Sequence, residues 1–294
     1  MDVMKRIPLN VEDMHTEVNK RFAEDILRDV GEKALNYGVK PYEYEYFSRA
    51  VCTIADSDIK RIYDLVDELR AFDATTWEHS IATALHTSKM LRAMKQDKFK
   101  INDRDCVQIA AAAFLHDIGK MSIDKDILNK PSRLTDQEFS EVKKHTLYGL
   151  STLYAYDPHG SFMNRYISVV VSMHHHKCGL GYSGLSEHIK QIRAHEARQA
   201  ENYVMKKFVI LPLEARHYLA ADIVGICDSY SAQVELRPYT KVRKPQEAFN
   251  DIVRDLERGG ILNHSKELLK SFSEAYDLSL PDVLKEAAAV TIER

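Results

Sequence analysis

The sequence predicts an all-α fold, and three observations support this prediction. Only 11 Gly and 8 Pro interrupt the 294 residues of the chain. Its long segments are rich in Ala, Leu, Lys and Glu, which are strong helix formers. No segment shows the sustained alternation of apolar and polar residues that a half-buried β-strand requires. We therefore expect a mainly helical protein that is long enough to bury a sizeable core.

In the N-terminal half, helical spacing and stop signals define the expected elements. The predicted helices are residues 10–37, 56–71, 76–95 and 102–119. The apolar stripe of the first helix is Val18, Phe22, Ile26, Val30 and Leu35. This helix is expected to stop at Gly38 and Pro41, because both residues are helix-end signals. Thr75 or Thr76 is the expected N-cap of the third helix, which would place His79 in its first turn.

In the C-terminal half, a helix is expected to begin near Thr135, where TDQE resembles a capping box, and its end delivers His145. The apolar segment YISVVVSM then leads into a run of three histidines. Residues 186–208 are highly charged and indicate an exposed helix or ordered arm. The remaining expected elements are a helix over residues 213–234 that carries Asp228, and a helical pair over residues 245–277 broken at Gly259 and Gly260.

Charge and cysteine usage exclude several classes of protein. The net charge is −3 and no basic block occurs, which argues against duplex nucleic acid as a partner. The four cysteines lack CxxC spacing and therefore predict neither a zinc knuckle nor a disulfide framework. The N-terminus lacks a signal-peptide core, and no apolar stretch reaches the roughly 18 residues of a membrane span. We expect a cytoplasmic protein without a membrane partner.

The pentapeptide HDIGK, residues 116–120, follows the apolar run AAAAFL and carries the strongest chemical signal. Adjacent His116 and Asp117 supply an imidazole nitrogen and a carboxylate that can bridge two cations. Lys120 is expected one helical turn after His116, where it can hold a phosphate oxygen. A His-Asp pair taken alone is more often a buried hydrogen-bonded pair, so this interpretation depends on further ligands elsewhere.

Further candidate metal ligands follow one another along the chain. They are His79, His145, His174, His175, His176 and Asp228. Together with His116 and Asp117, they suffice for a two-metal hydrolytic centre. Neutral imidazole and carboxylate are ligands that first-row divalent metals prefer. Because the set contains no cysteine, we expect two ions of iron or manganese, with zinc or nickel as alternatives.

With this set of residues the chain resembles the HD superfamily of metal-dependent phosphohydrolases. Within the superfamily it resembles the HD-GYP group, which hydrolyses cyclic dinucleotides such as cyclic di-GMP. The stretches that carry the resemblance are FLHDIGKMSIDKDILNKPSRLTDQEFSEVKKHTLYG (114–149), LPLEARHYLAADIVGICDSYSAQVELRPY (211–239) and residues 246–276. The resemblance implies an HD-type helical bundle. We divide the chain into an N-terminal helical extension, residues 1–72, and an HD-GYP-like domain, residues 73–294. The extension holds no motif of known role and is a candidate for homodimer contacts.

The resemblance also implies a role for each matching residue. The implied metal ligands are His79, His116, Asp117, His145, two of His174 to His176, and Asp228. Among them Asp117 would bridge the ions, and we favour His174 and His175 as the pair. Lys120 and Arg237 would contact substrate phosphate. Asp117 and Lys120 are thus the expected catalytic residues.

The chain departs from the group's pattern in the loop after the histidine run. The group carries His-His-Glu and then Asp-Gly-x-Gly-Tyr-Pro, whereas this chain reads HHHKCGLGYSG over residues 174–184. Cys178 and Ser183 replace the usual Asp and Pro, and one residue is missing. A neighbouring register of the histidine pair therefore remains open, with His176 otherwise in the position of the Glu.

Other departures concern the metal shell and the substrate. Ser231 replaces a usual second Asp, and Thr75 stands where some members carry a Glu for a third metal, so two ions are expected. Thr240 replaces a basic residue, and the adjacent Lys241 is the candidate substrate-binding residue in its place.

The leading hypothesis is a two-metal phosphodiesterase that opens a cyclic dinucleotide, foremost cyclic di-GMP, to a linear product. The altered loop leaves two alternatives. One is an HD phosphohydrolase that acts on another nucleotide or phosphoester. The other is an inactive metal-containing module that senses a nucleotide and signals to a partner.

Overall fold

The computed structural model describes residues 16–55, 60–94, 99, 101–157, 165–175, 215–235, 242–258 and 263–284. All regular secondary structure in these ranges is helical, which confirms the all-α prediction. Among the helices described, not one combines the length and the apolar character that crossing a membrane would require.

The helices are numbered in chain order. They are α1 (Glu17–Asn36), α2 (Glu45–Ala55), α3 (Lys60–Phe72), α4 (Ala74–Ala93), α5 (Asp103–Leu115), α6 (Lys125–Leu128), α7 (Asp136–Lys143), α8 (His145–Tyr156), α9 (Arg165–Met173), α10 (Ala215–Val234), α11 (Pro245–Arg258) and α12 (Asn263–Tyr276). Short 3₁₀ turns lie at Pro41–Glu43 and Ile118–Ser122. The predicted closing pair is confirmed as α11 and α12, whereas the Gly259-Gly260 break and the charged segment 186–208 lie outside the described residues.

Helix α1 is shorter than predicted, and its buried stripe differs. It begins at Glu17 because Thr16 has an extended backbone and caps the helix with its hydroxyl. Ile26 and Val30 are buried as expected, but Val18 and Leu35 are 72% and 71% exposed. The core-facing role assigned to Val18 and Leu35 was therefore wrong, because both lie on the solvent side of the helix.

Helix α2 was not predicted from the sequence. Its buried residues Phe47, Val51 and Ile54 are spaced four and three apart, which is the signature of one helical face. This face packs against α5, where the ring centroids of Phe47 and Phe114 are 5.3 Å apart. The spacing of these apolar residues therefore indicates a helix, although none was predicted here.

Helix α4 begins earlier than predicted, because its N-cap is Asp73 rather than a threonine. The Asp73 carboxylate accepts hydrogen bonds from the backbone N–H and the hydroxyl of Thr76. Ala74 is thus the first helical residue, and His79 lies in the second turn instead of the first.

Helix α5 ends at Leu115 and not at Gly119 as predicted, although its Asn102 cap is confirmed. The backbone of Asp117 (φ −99°, ψ 10°) leaves the α-helical region, and the 3₁₀ turn follows. The capping box at Thr135 is also confirmed. Helix α7 stops at Lys143, so His145 does not end that helix but begins α8.

Helices α4, α5, α9 and α10 pack against one another at the centre of the molecule. The N-terminal helices share this core, since α1 contacts α4 and α2 contacts α5. Trp77 of α4 packs in the same core, with its ring centroid 5.4 Å from that of Phe114. The functional division at residue 72 stays a prediction.

Candidate metal centre

Five separate segments converge at one end of the central helices. Helix α4, the end of α5, the start of α8, the end of α9 and the middle of α10 each contribute side chains. All seven residues predicted as metal ligands meet there: His79, His116, Asp117, His145, His174, His175 and Asp228. Six of them are buried, and the His175 side chain is 24% exposed.

The potential ligand atoms form two groups. One group contains Asp117, His145, His174 and His175, and the other contains His79, His116 and Asp228. Within each group, one ligand atom from every residue lies within 4.8 Å of all the others. Such spacing suits donors that surround a cation between them.

Asp117 lies between the two groups and directs one carboxylate oxygen toward each. Its Oδ2 is 3.2 Å from Nε2 of His116, and its Oδ1 is 3.2 Å from Nε2 of His145. Asp228 has a similar disposition, with Oδ1 2.9 Å from Nε2 of His79 and Oδ2 3.7 Å from Nδ1 of His175. Both carboxylates can therefore link the groups.

Three of the histidines are oriented by the backbone of their own segments. In each ring Nδ1 lies within hydrogen-bond distance of a carbonyl oxygen three or four residues earlier. The acceptors are Ala113 for His116 at 2.7 Å, Val142 for His145 at 2.7 Å and Val170 for His174 at 2.9 Å. Because a carbonyl only accepts, Nδ1 carries the proton and the Nε2 lone pair faces the centre.

These lone pairs leave the centre with more acceptors than donors. Nε2 of His145 and Nε2 of His174 are only 3.3 Å apart. Nε2 of His116 and Oδ1 of Asp117 are buried, and neither makes a hydrogen bond within the described residues. Acceptors buried without a donor are costly, and a bound cation removes that cost. The donor set therefore fits divalent metal.

Electrostatics keep the carboxylates ionised. Burial would raise the pKa of Asp117, but the charge of Lys120 and the neighbouring His116 hold that pKa well below its ordinary value. Burial opposes ionisation of Asp228 in the same way, yet the close approach of His79, whose Nε2 lies 2.9 Å from Oδ1, helps to hold the pKa of Asp228 well below its ordinary range.

The same burial keeps the imidazoles neutral. Burial lowers the pKa of His145 to about 4 and that of His175 to about 3, and it lowers the pKa of His174 well below its ordinary value. At neutral pH His145, His174 and His175 are thus neutral while Asp117 and Asp228 are ionised, which are the protonation states that metal binding requires.

Lys120 lies beside the cluster, although not through the geometry predicted. Because the α-helix ends before it, Lys120 is placed by the 3₁₀ turn and not by a helical turn from His116. Its Nζ is 2.5 Å from Oδ2 of Asp117, and its side chain is 19% exposed whereas that of Asp117 is 2% exposed. The ammonium group therefore stands between the buried carboxylate and solvent.

A close backbone crossing brings His145 to Asp117. A Cβ atom on Gly119 would lie 1.9 Å from the His145 carbonyl oxygen and 2.3 Å from the Gly149 nitrogen. A Cβ atom on Gly149 would lie 2.5 Å from Cγ1 of Val171. Only glycine at these positions lets the 3₁₀ turn, α8 and α9 approach so closely.

The sequence analysis missed one carboxylate of the site. Glu235 is 6% exposed, and its Oε2 lies 3.2 Å from Nδ1 of His79. The hydroxyl of Ser231 donates a hydrogen bond to the same carboxylate. The sequence did contain a signal for Glu235. Asp228, Ser231 and Glu235 are spaced three and four residues apart, which places them on one side of α10 and of the residue that follows it.

Several predicted residues lie outside the described part of the chain. They are Arg237, Lys241, His176 and the loop residues Cys178 to Ser183. The roles assigned to them stay predictions.

His86, two turns after His79, belongs to the core and not to the cluster. Its ring contacts Tyr37 and Tyr230, and its Nδ1 lies within hydrogen-bond distance of the Tyr276 hydroxyl, 2.5 Å away. Burial lowers the pKa of His86 from 6.5 to about 3, so the folded protein resists its protonation.

This depressed pKa predicts a pH-dependent stability. The contribution of His86 is fully present above pH 6.5 and is lost as the pH falls toward about 3. Between pH 7 and pH 5 the loss should reach about 2 kcal/mol. His86→Gln should remove this part of the pH dependence when urea unfolding is measured at both pH values. Parallel pH profiles of the two proteins would contradict the prediction, because the remaining histidines are common to both.

Comparisons with known proteins agree with this geometry. The family model described as HD domain matches residues 76–232. A cyclic di-GMP phosphodiesterase of Pseudomonas aeruginosa is 30% identical over 59% of the chain and 34% of its own length. A 3'3'-cGAMP-specific phosphodiesterase of Vibrio cholerae is 32% identical over 35% of the chain and 21% of its length. A cyclic di-GMP phosphodiesterase of Thermotoga maritima is 26% identical over 66% of the chain and 44% of its length.

The chain thus spans less than half the length of each of these relatives. No solved structure gives a significant match.

Proposed function

The chain belongs to the HD domain family, and from this premise we propose that it is a metal-dependent phosphodiesterase that hydrolyses a cyclic dinucleotide to a linear product. One observation carries the proposal most strongly. The buried carboxylate of Asp117 directs one oxygen toward each of two groups of potential metal ligands.

In this proposal the cluster holds two divalent ions, of iron or manganese in the first instance and of zinc or nickel as alternatives. His79, His116 and Asp228 would hold one ion, and His145, His174 and His175 would hold the other, with the Asp117 carboxylate available to both groups. The bound ions would supply a water of lowered pKa and positive charge for the phosphoryl oxygens. The protein orients the donors through the Nδ1 hydrogen bonds and excludes bulk water from them by burial.

Lys120 is proposed to contact the substrate phosphate. Its ammonium group lies beside the Asp117 carboxylate, and its side chain is partly exposed whereas that of Asp117 is buried, so it can meet a ligand that enters from solvent. A fixed cation at this position favours the charge that develops on the phosphoryl oxygens. Arg237 and Lys241 are proposed as further substrate contacts on the resemblance alone.

Cyclic di-GMP is the substrate we propose first, because relatives from two organisms carry that activity in their names. The relative that acts on 3'3'-cGAMP makes a second cyclic dinucleotide the obvious comparison. A different phosphoester substrate, or nucleotide binding without turnover, is an outcome that the test must distinguish.

The test is metal removal and reloading. Protein stripped with a chelator should not hydrolyse cyclic di-GMP, and anaerobic reloading with Fe²⁺ or Mn²⁺ should restore a linear product detected by chromatography. Turnover of mononucleotides but of neither cyclic dinucleotide would replace the proposed substrate class. Tight binding of a nucleotide without any product would contradict the enzymatic proposal and favour a sensing module.

A further inference from the structure

We propose that Glu235 is a positioning residue that holds His79 in the tautomer needed for metal binding. The inference rests on the proposed function, because it assumes that His79 is a ligand. It concerns a residue that the resemblance does not mark, one helical turn after Ser231, where the chain departs from the group's pattern.

Both carboxylate oxygens of Glu235 lie close to one imidazole nitrogen, Nδ1 of His79. Its Oε2 and Oε1 lie 3.2 Å and 3.4 Å from Nδ1 of His79. The Ser231 hydroxyl donates a hydrogen bond to Oε1, and Ser231 is itself fully buried. Glu235 directly follows α10 and is held by Ser231 of that helix. Its carboxylate faces His79 of α4, which lies 156 residues away in the sequence.

His79 differs from the other histidines in the group that faces its Nδ1. His116, His145 and His174 direct Nδ1 to backbone carbonyl groups at helix ends. His79 lies within α4, and its Nδ1 instead faces the carboxylate of Glu235, with Oε2 3.2 Å away. Because an ionised carboxylate only accepts hydrogen bonds, this contact favours the proton on Nδ1.

Loss of this acceptor would allow the wrong tautomer. Nε2 of His79 is 2.9 Å from Oδ1 of Asp228. Without Glu235, the proton can move to Nε2 and be donated to Asp228, so that Nε2 no longer has a free lone pair for a cation. With Glu235 in place, the proton stays on Nδ1 and Nε2 remains available.

The same geometry shows where a substitute carboxylate would work. The hydroxyl oxygen of Ser231 is 3.4 Å from Nδ1 of His79, one helical turn before Glu235. A carboxylate on residue 231 would reach the same nitrogen. Ser231→Asp combined with Glu235→Ser should therefore exchange the two functions without loss of the acceptor.

The experiment compares Mn²⁺ binding by isothermal titration calorimetry in the full chain. Glu235→Ala should weaken one class of site by about 10- to 100-fold. The exchange variant, Ser231→Asp with Glu235→Ser, should return the affinity close to that of the unchanged protein. Gln233→Ala serves as the matched control, because the Gln233 side chain on the same helix bonds to the Ser229 carbonyl and not to the cluster. Circular dichroism checks that each variant is folded.

The outcomes separate this inference from the proposed function. If the unchanged protein binds no Mn²⁺, the proposed function itself fails. If it binds and Glu235→Ala binds equally well, the role of Glu235 is overturned while the proposed function stands. If Glu235→Ala does not fold, the exchange variant decides: weak binding by a folded exchange variant overturns the positioning role, and near-normal binding supports it.

Discussion

Asp117→Asn should abolish metal-dependent hydrolysis, with a loss on the order of 10³-fold or more, because several kcal/mol of charge stabilisation depend on the metal centre. The substitution keeps the volume of the side chain but replaces an anion with a neutral amide. One of its two polar atoms becomes an N–H₂ group, which can only donate. Asparagine therefore cannot present an oxygen to both groups of ligands, as Asp117 does.

Two measurements are needed for this variant. Turnover of the cyclic dinucleotide should fall, and the metal content per chain, measured by elemental analysis, should fall with it. Asp136→Asn is the control, because Asp136 is an exposed residue of the first turn of α7. If the variant loses turnover but keeps its full metal content, the bridging role is contradicted. Asp117 would then act in the reaction and not in metal binding.

Gly119→Ala should destabilise the protein and separate Asp117 from His145. The added methyl group would overlap backbone atoms of His145 and Gly149, which cannot move as a flexible side chain can. Overpacking of this kind costs about 1–3 kcal/mol and more where the structure cannot relax, so we expect the upper end of that range or beyond. The free energy of unfolding in urea measures the loss, and Mn²⁺ affinity should fall as well.

The control for this prediction is Gly38→Ala. Gly38 has φ +61°, so a side chain is strained there, but nothing lies within 4 Å of an added Cβ atom. This variant should lose about 1–2 kcal/mol through its left-handed backbone conformation. Its metal affinity should stay unchanged, since the turn is remote from the cluster. Equal metal affinities in Gly119→Ala and Gly38→Ala would show that the close crossing does not position the site.

The helices were predictable where local signals dominate. Thr135 and Asn102 both carry capping boxes, and both helix starts are confirmed. The start of α4 was misplaced because the prediction considered Thr75 and Thr76 as caps and not the nearby Asp73. Only the folded chain shows that the carboxylate of Asp73 accepts the hydrogen bonds.

The sequence indicated which residues converge at the site, but it did not indicate the contacts between them. The HDIGK motif and the order of the other ligand types named the seven residues that converge. The spacing of Glu235 from Asp228 and Ser231 is visible in the sequence, but its burial against the cluster is not, because a glutamate is ordinarily a solvent-exposed residue. The role proposed for Glu235 depends on its contact with His79, which lies on a different helix, α4.

By itself, the sequence determined the helical class, the ligand types and the chemistry they favour, because these follow from properties of neighbouring residues. Only the tertiary structure decided which oxygen of Asp117 faces which ligand group, which nitrogen of His116, His145 and His174 carries the proton, and how Lys120 lies beside the cluster. Those features depend on helix ends and on packing between helices far apart in the chain. The physical reason is that hydrogen-bond and metal-ligand geometry is set by distances of a few ångströms, which local residue patterns do not encode.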